Sequence, residues 1–424
     1  MAVVISIMKV YFIVMIVLTL LYAIRHTLFT FSRSYGKQRM YYHDMESSHM
    51  PSVSVLIPMH NEEKVLHYVL DSLMKCDYDK DKLEVIPIND HSTDRTGELL
   101  DEYSAKHPNI KPLHRDGGLR GKPAGLNDAL ALSQNDIIIV FDADYRPGVN
   151  LLKQLASGFI DPQIGAVMGR VIPYNTNTNM LTRLLNMERT GGYQADQQAR
   201  YNLRLMPQYG GTTGAFRKDI VVETGGFDVK MLAEDTELTF RLYTKGYKIA
   251  YANIAECYEE APETWKMRST QIRRWSRGHN AVFFKYLWKV IFSKHLRLRE
   301  KVDAVMLLGV YMMPVLLLFA QFTCIALFFF GEMNIFAGAW VLLFLGVYNS
   351  FGNFAPFFEI ATAALMDGST RDVLMLPLLA FNFYFYMYST TLGFFDALAD
   401  VITGRNVTWA KTKRYAKKKA EAKT

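Results

Sequence analysis

Two acidic pairs, one lysine and three polar strand ends carry the chemistry that this sequence could perform. Asp142 and Asp144 stand two apart at the end of the apolar run 137–141, so a bend there lets both carboxylates face one pocket. Hard carboxylate oxygens attract Mg²⁺ or Mn²⁺. Mg²⁺ usually keeps waters and is held by one or two carboxylates together with substrate phosphates, so this pair points to a diphosphate-bearing substrate. The plainer reading is a turn-forming Asp pair before Pro147. Lys122 opens a helical pattern behind Gly117, Gly118 and Gly121, where an ammonium suits a phosphate charge; an exposed loop lysine is the plainer alternative. Glu234 and Asp235 begin a stretch whose Leu238, Leu242 and Tyr243 give it a buried face, and acids in a first helical turn commonly just complement the helix dipole. Gln271, Arg274 and Trp275 lie in a basic and aromatic stretch leading to Phe283, Tyr286 and Trp288, a composition that suits a helix lying on a membrane surface.

The elements that must position these residues alternate between short β-branched runs and helical patterns from 51 to about 260, which predicts a wound α/β domain with a mostly parallel sheet. Strands are expected at 53–57, 83–88, 110–113, 137–141 and 166–171, with helices near 63–75, 94–107, 123–133 and 149–159. Ligands of such sheets bind beyond the carboxyl ends of the strands. Three of those ends are polar at once: Pro58-Met59-His60-Asn61-Glu62, Asn89-Asp90-His91-Ser92-Thr93-Asp94, and Asp142-Ala143-Asp144. Each alone could be a helix cap. Their convergence on one rim is the informative fact.

Several chemistries are disfavoured. The run from Gly117 to Lys122 has GxxxGK spacing and Pro123 in place of Ser or Thr, unlike a Walker phosphate loop, and no GxGxxG follows the first strand. Cys76, Cys257 and Cys324 are far apart without CxxC spacing, and the ten histidines include no HExxH. A disulfide framework and a zinc site are therefore not expected. The net charge of +7 is no sign of nucleic-acid binding, because the segment from Arg405 to Lys423 alone holds eight Lys or Arg against one Glu. A basic tail beside apolar segments fits anionic lipid head groups, or else a solubilising extension.

Apolar segments flank the α/β region. Residues 3–24 are apolar apart from Lys9 and match the roughly 20 residues a helix needs to cross the hydrocarbon core. Arg25, Arg33, Lys37 and Arg39 lie just beyond, which argues against a cleaved signal peptide and places the α/β region in the cytosol. Further spans are expected at 305–330, 335–351 and 373–398, and 354–366 could be an interfacial helix, a re-entrant piece or another crossing. A cytosolic tail wants four crossings in this region, an external one three. The organisation read from these patterns is a transmembrane helix at 1–27, a catalytic domain at 51–262, interfacial amphipathic helices at 263–300, a bundle of three or four spans at 303–402 and a basic tail at 403–424.

Taken together, the segments from Ser52 to Trp275 resemble the family 2 inverting glycosyltransferases, specifically the processive membrane-embedded branch that includes cellulose, chitin, hyaluronan and poly-N-acetylglucosamine synthases. The resemblance rests on Pro58 to Glu62 as P-x-x-N-E, Asn89 to Asp94 as D-D-x-S-x-D with Asn in the first place, and Gly121 to Asn127 as G-K-x-x-x-L-N. Asp142 to Asp144 matches D-x-D, Ala233 to Asp235 matches T-E-D with Ala for Thr, and Gln271 to Trp275 matches Q-x-x-R-W. It implies a GT-A-like, Rossmann-type catalytic domain on the cytosolic side, inserted between transmembrane helices of a multi-pass membrane protein.

By the same resemblance Asp235, beside Glu234, is the general base, and Pro58, Glu62, Asp90, Lys122, Asp142 and Arg274 bind the nucleotide sugar, expected to be UDP-linked. Asp144 with Asp142 holds Mg²⁺ or Mn²⁺. Gln271 and Trp275, with Gly211 and Thr212 of the Gly-rich loop at 210–217, bind the acceptor. The implied acceptor is a growing polysaccharide, with membrane lipid as surroundings, room for accessory subunits and no nucleic acid. Two alternatives accompany this reading: a non-processive transferase adding one sugar to a lipid acceptor, and a channel or transporter carrying an inactive module, since Asn349, Asn353, Glu359 and Asn382 interrupt the apolar block.

Overall fold

The computed structural model describes residues 1–36, 50–332 and 354–405, and the chain divides into two compact units. Of the described residues, one unit comprises 50–175 and 208–261, and the other comprises 1–36, 176–207, 262–332 and 354–405.

The first unit is built on an eight-stranded sheet. Its strands are β1 (Val53–Met59), β2 (Leu83–Asp90), β3 (Leu113–Arg115), β4 (Ile137–Val140), β5 (Arg146–Pro147), β6 (Ile164–Pro173), β7 (Gly214–Arg217) and β8 (Lys248–Glu259). Their spatial order is β3-β2-β1-β4-β7-β6-β8-β5. Every residue of β2 and β4 is buried, which is why these strands are unbroken apolar runs rather than alternating ones. β1 runs parallel to β2 and β4, and β2 runs parallel to β3. Helices Leu66–Lys75, Thr96–Lys106, Lys122–Leu132 and Leu151–Ser157 fall within the expected stretches or within one residue of them.

The second half of the sheet departs from the expected parallel pattern. β7 lies antiparallel between β4 and β6, β6 and β8 are parallel, and β5 pairs antiparallel with β8. The sheet is therefore mixed. The expected strand at 110–113 also shifts: Ile110 makes only an isolated bridge to Val85, and the ladder begins at Leu113.

In the second unit, the helix Ala2–Tyr35 has 34 residues, more than a crossing requires. Its polar end is satisfied internally. Arg25 pairs with Asp196 at 2.6 Å and with Asp303 at 3.3 Å, while Arg200 pairs with the same two carboxylates. Arg33 donates to the backbone and side-chain oxygens of Gln194 at 2.8 and 2.9 Å. Gln194 belongs to a π-helical turn, Gly191–Gln197, that interrupts the helical run of residues 180–202.

The span expected at 305–330 is broken. Leu298–Tyr311 and Met313–Phe329 meet at 70°. Pro314 in the first turn of the second helix has no N–H and its ring crowds the preceding turn, which favours a bend at this point. Ala355–Met366 is a helix of 12 residues, about 18 Å at 1.5 Å per residue, too short to cross alone. Leu376–Thr403 covers the last expected span. The span expected at 335–351 and nearly all of the basic tail lie outside the described residues. Among the described residues, two helices are long and apolar enough to cross a membrane, or three if the bent pair counts as one.

The helix Trp265–Ile291 packs along Leu376–Thr403. Arg273 forks onto Asp396 at 2.6 and 2.9 Å, and Arg277 forks onto Asp400 at 2.6 and 2.7 Å. Ser276 donates to the carbonyl of Thr390 at 2.7 Å, and Gly393 lets the backbones approach, since a Cβ there would collide with the carbonyl oxygen of Arg273.

Candidate active site

The parallel register brings the ends of β1 and β2 side by side, with Met59 opposite Asn89. The chain then turns sharply. Asn61 and His91 both adopt left-handed backbone (φ 55°), a conformation that L side chains rarely hold without local support. That support is visible: the Asn61 side-chain oxygen accepts from the backbone N–H of Thr93 at 2.7 Å, and Ser92 Oγ accepts from the backbone N–H of Asn61 at 3.0 Å. Glu62 is buried and its N–H donates to Thr96 Oγ1 at 2.8 Å. Pro58 lies at the end of β1, opposite Ile88.

Asp90 closes β2 and is buried. One of its oxygens accepts from Arg115, and its other oxygen accepts from the backbone N–H of Gly121 at 2.7 Å. Arg115 continues to Asp128 at 2.7 Å and to the carbonyl of Leu119 at 2.7 Å. Asp90 thus anchors the glycine loop that leads into Lys122. Sequence reasoning missed Arg115. Its only signal is the β2–β3 register, which places it opposite Asp90 and is not visible along the chain.

Gly121 takes φ 113°, a backbone that favours glycine, and Pro123 follows in the first turn, where its missing N–H costs nothing. Lys122 therefore emerges at the helix start with its side chain turned to three carboxylates and one carbonyl. Its Nζ lies 2.8 Å from Asp142 Oδ1, 2.6 Å from the carbonyl oxygen of Gly211 and 3.5 Å from Glu234 Oε1. Burial works against this ammonium, but Asp142, Glu234 and Asp235 outweigh burial and hold its pKa above the ordinary lysine value.

The loop bearing Gly211 is pinned from both sides. Thr212 Oγ1 accepts from the N–H of Asp142 at 3.2 Å, and the N–H of Thr213 donates to the Val140 carbonyl at 2.8 Å. Gly211 has φ 87°, and a Cβ added there would sit 3.1 Å from Asp235 Oδ2 and 3.6 Å from Lys122 Nζ. The positive φ favours glycine, and a Cβ would press against the Asp235 carboxylate. Asp235 stands in the first turn of the helix Glu234–Thr244 and accepts from the N–H of Thr236 at 2.7 Å. The structure therefore gathers Lys122, Asp142, Gly211, Thr212, Glu234 and Asp235 around one point, although up to 113 residues separate them in sequence.

Glu234 and Asp235 differ in environment. Burial and the neighbouring Asp235 push the Glu234 carboxyl up to about 7, against the pull of Lys122. The shift has a definite sign for stability. The folded protein holds a proton at Glu234 between the unfolded value of 4.5 and about 7, so stability contributed here falls as pH rises through that window and levels off above it. Unfolding midpoints of the detergent-solubilised protein are expected to drop by a few degrees between pH 5 and pH 8, and Glu234→Gln is expected to flatten that slope. An unchanged slope in the variant would show that another group titrates.

Asp144 is buried at 3% exposure, and the residues after it are held firmly. Tyr145 Oη donates to Glu259 at 2.7 Å, and the Arg146 guanidinium lies between the rings of Tyr68 and Tyr174, 3.8 and 4.1 Å from their centroids. These flanking residues had no sequence signal, because their partners come from other elements. Asp142 and Asp144 supply the hard oxygen donors that a divalent cation fits. Among the described residues no group of three or more His, Cys, Asp or Glu is placed to hold a metal ion by itself.

Gln271, Arg274 and Trp275 lie on the helix Trp265–Ile291 of the second unit. Gln271 Oε1 accepts from Arg268 at 2.8 Å, and the guanidiniums of Arg189 and Arg268 each lie 5.1 Å from the Trp275 ring centroid.

Comparison with known proteins supplies the family. Residues 51–278 match the model described as glycosyltransferase like family 2, which is more than half of the chain. A protein of Bacillus subtilis (strain 168) named probable glycosyltransferase YdaM is 34% identical over 411 residues, covering 92% of each chain. A beta-monoglucosyldiacylglycerol synthase of Synechocystis sp. is 29% identical over 62% of this chain and 55% of its own, and glucomannan 4-beta-mannosyltransferase 2 of Arabidopsis thaliana is 27% identical over 61% and 50%. The chain thus spans only about half the length of those two relatives. Among solved structures, the mannosyltransferase PcManGT of Pyrobaculum calidifontis, in complex with GDP-Man and Mn²⁺, shares the fold with a TM-score of 0.61 at 19% identity, over 92% of this chain and 99% of that one. With a GT-A-like catalytic fold and a family match across the whole site-bearing unit, the chain belongs to glycosyltransferase family 2 and is a hexosyltransferase.

Proposed function

We propose that this protein is a membrane-embedded inverting transferase that moves a sugar from a nucleoside diphosphate sugar, UDP-linked, to the end of a growing polysaccharide on the cytosolic side of the membrane. The observation that carries the reading is the convergence of Lys122 with Asp142, Glu234 and the Gly211 carbonyl, with Asp235 at the same point. The apolar helix Ala2–Tyr35, followed in sequence by Lys37 and Arg39, supports the membrane setting and the cytosolic side.

The chemistry is dictated by the residues. The acceptor hydroxyl loses its proton to Asp235 as its oxygen bonds to the anomeric carbon, and the bond from that carbon to the phosphate oxygen breaks with its electron pair leaving on the nucleoside diphosphate. Attack from the face opposite the leaving group inverts the centre. Lys122 and Arg274 offset the charge that develops on the diphosphate. A divalent ion held by Asp142 and Asp144 would add Lewis-acid stabilisation of the same oxygens. In this reading Pro58, Glu62 and Asp90 bind the nucleotide, and acceptor binding is assigned to Gly211 and Thr212 of the first unit and to Gln271 and Trp275 of the second. Accessory subunits are compatible with this scheme.

A second reading rests on a specific observation: the Synechocystis relative is named for sugar transfer to diacylglycerol, so a lipid hydroxyl could replace the polysaccharide end. Membranes containing the protein, incubated with a panel of radiolabelled nucleotide sugars, separate the two. Label in long chains supports polymer synthesis, label in a single-sugar lipid supports the second reading, and label in neither removes both. Chelation of divalent ions, or Asp144→Asn, is expected to lower transfer by about 100-fold or more, an effect of several kcal/mol at the leaving group. Mg²⁺ or Mn²⁺ should restore the chelated enzyme but not the variant.

A further inference from the structure

The helix Trp265–Ile291 carries a buried arginine outside the Q-x-x-R-W motif. Arg268 is 6% exposed, and each of its three guanidinium nitrogens has a different partner. Nη2 donates to Glu188 Oε2 at 2.7 Å, Nε to Tyr386 Oη at 3.0 Å and Nη1 to Gln271 Oε1 at 2.8 Å. The guanidinium carbon of the same group lies over the Trp275 ring, 5.1 Å from its centroid. Asn382 completes the cluster by donating to Glu188 and, at 2.9 Å, to Tyr386 Oη. Glu188 comes from the helix Met180–Thr190 and Asn382 and Tyr386 from Leu376–Thr403, so three helices meet at one guanidinium.

We propose that Arg268 is a positioning residue: Glu188 and Tyr386 fix its guanidinium, and it in turn fixes Gln271 by a hydrogen bond and Trp275 by a cation–π contact, setting the orientation in which both meet the acceptor. The inference rests on the acceptor-binding reading of Gln271 and Trp275. The geometry explains why arginine stands here. A planar fork satisfies three acceptors in fixed directions and still keeps its charge over an indole, whereas a lysine ammonium on a flexible stem retains the charge pair with Glu188 but cannot hold Tyr386, Gln271 and the ring together. The burial of the cluster makes each loss consequential, because a buried acceptor left without its donor costs more than an exposed one.

The test uses the full chain in detergent with Trp265, Trp288, Trp340 and Trp409 replaced by Phe, so that Trp275 alone reports. Arg268→Lys is expected to raise acrylamide quenching of Trp275 at least twofold, while calorimetric binding of UDP with Mg²⁺ stays within twofold. Glu188→Gln and Tyr386→Phe, the latter removing a single hydroxyl, should move quenching in the same direction by less. In membranes, Arg268→Lys is expected to lower transfer about tenfold, and that penalty should shrink to threefold or less in a Trp275→Phe background, as for residues acting through one another. Unchanged quenching in Arg268→Lys, a full tenfold penalty in both backgrounds, or a parallel loss of UDP binding would each overturn the proposal. Should Trp275→Ala leave transfer intact while Arg268→Lys still raises quenching, positioning of the indole stands and the acceptor reading is what fails.

Discussion

Asp235→Asn is expected to lower sugar transfer by about 10²–10⁴-fold, the usual contribution of a positioned general base, while leaving affinity for the nucleotide sugar within a few-fold of the parent. The geometry separates this residue from its neighbour. Asp235 accepts from the N–H of Thr236 in the first turn of its helix, where the dipole favours a carboxylate, and its Oδ2 faces Gly211. Glu234 is buried deeper in the negative field of the cluster, and its raised pKa of about 7 leaves it partly protonated at neutral pH. A proton acceptor must be ionised before it acts, so Glu234→Gln should cost less than Asp235→Asn. Initial rates of nucleoside diphosphate release, set beside calorimetric donor binding, check both variants. Near-parental turnover in Asp235→Asn with an inert Glu234→Gln would exchange the two roles.

Lys122→Met is expected to have the second largest effect, on binding and stability together. The substitution keeps the length and apolar stem but removes an ammonium that lies within 3.5 Å of both Asp142 and Glu234. Breaking a buried ion pair by deleting one partner typically costs about 3–5 kcal/mol, because the charges left behind stay desolvated. Here the remaining carboxylates would also repel a diphosphate. Donor affinity should therefore fall by about 100-fold, roughly 2.8 kcal/mol at 1.4 kcal/mol per decade. Lys122→Arg should recover little, since a planar fork does not fit where one nitrogen meets Asp142, Glu234 and the Gly211 carbonyl. Denaturation midpoints and donor titrations of both variants decide the matter. A Lys122→Met protein that binds donor normally would show that the ammonium serves only the fold.

Much of the first unit is legible along the chain because of how it is buried. β1, β2 and β4 are covered on both faces, so they appear as continuous β-branched runs, and the helices between them follow with little ambiguity. β5 and β7, of two and four residues, are too short to carry a period, and their antiparallel pairing depends on chain reversals that no local pattern specifies. β8 is long enough to find, with buried and half-buried positions alternating toward its end. The helical unit is harder to read. The apolar pattern of the first helix ends at Ile24, where Arg25 and His26 look like a boundary, yet Arg25 is neutralised by Asp196 and Asp303, and His26 lies 2.5 Å from Glu359. Polar residues end an apolar pattern in sequence but not a helix whose partners arrive from elsewhere.

The same distinction applies to the site. Residue types and spacing single out Asp142 and Lys122, and Asp235 enters only through the family resemblance, but the contacts that give these residues direction are silent: Arg115 opposite Asp90, and Asn127 bridging both the N–H and the carbonyl of Phe227 at 2.7 and 2.8 Å. A register and a long-range bridge are properties of a fold, not of a motif.

The two guanidinium forks from Arg273 and Arg277 to Asp396 and Asp400 carry a mechanical meaning. Spaced one helical turn apart on both partners, they tie the two helices at two points and oppose sliding of one along the other. A tilt of the C-terminal member is therefore passed to Trp265–Ile291, the helix that carries the indole of Trp275.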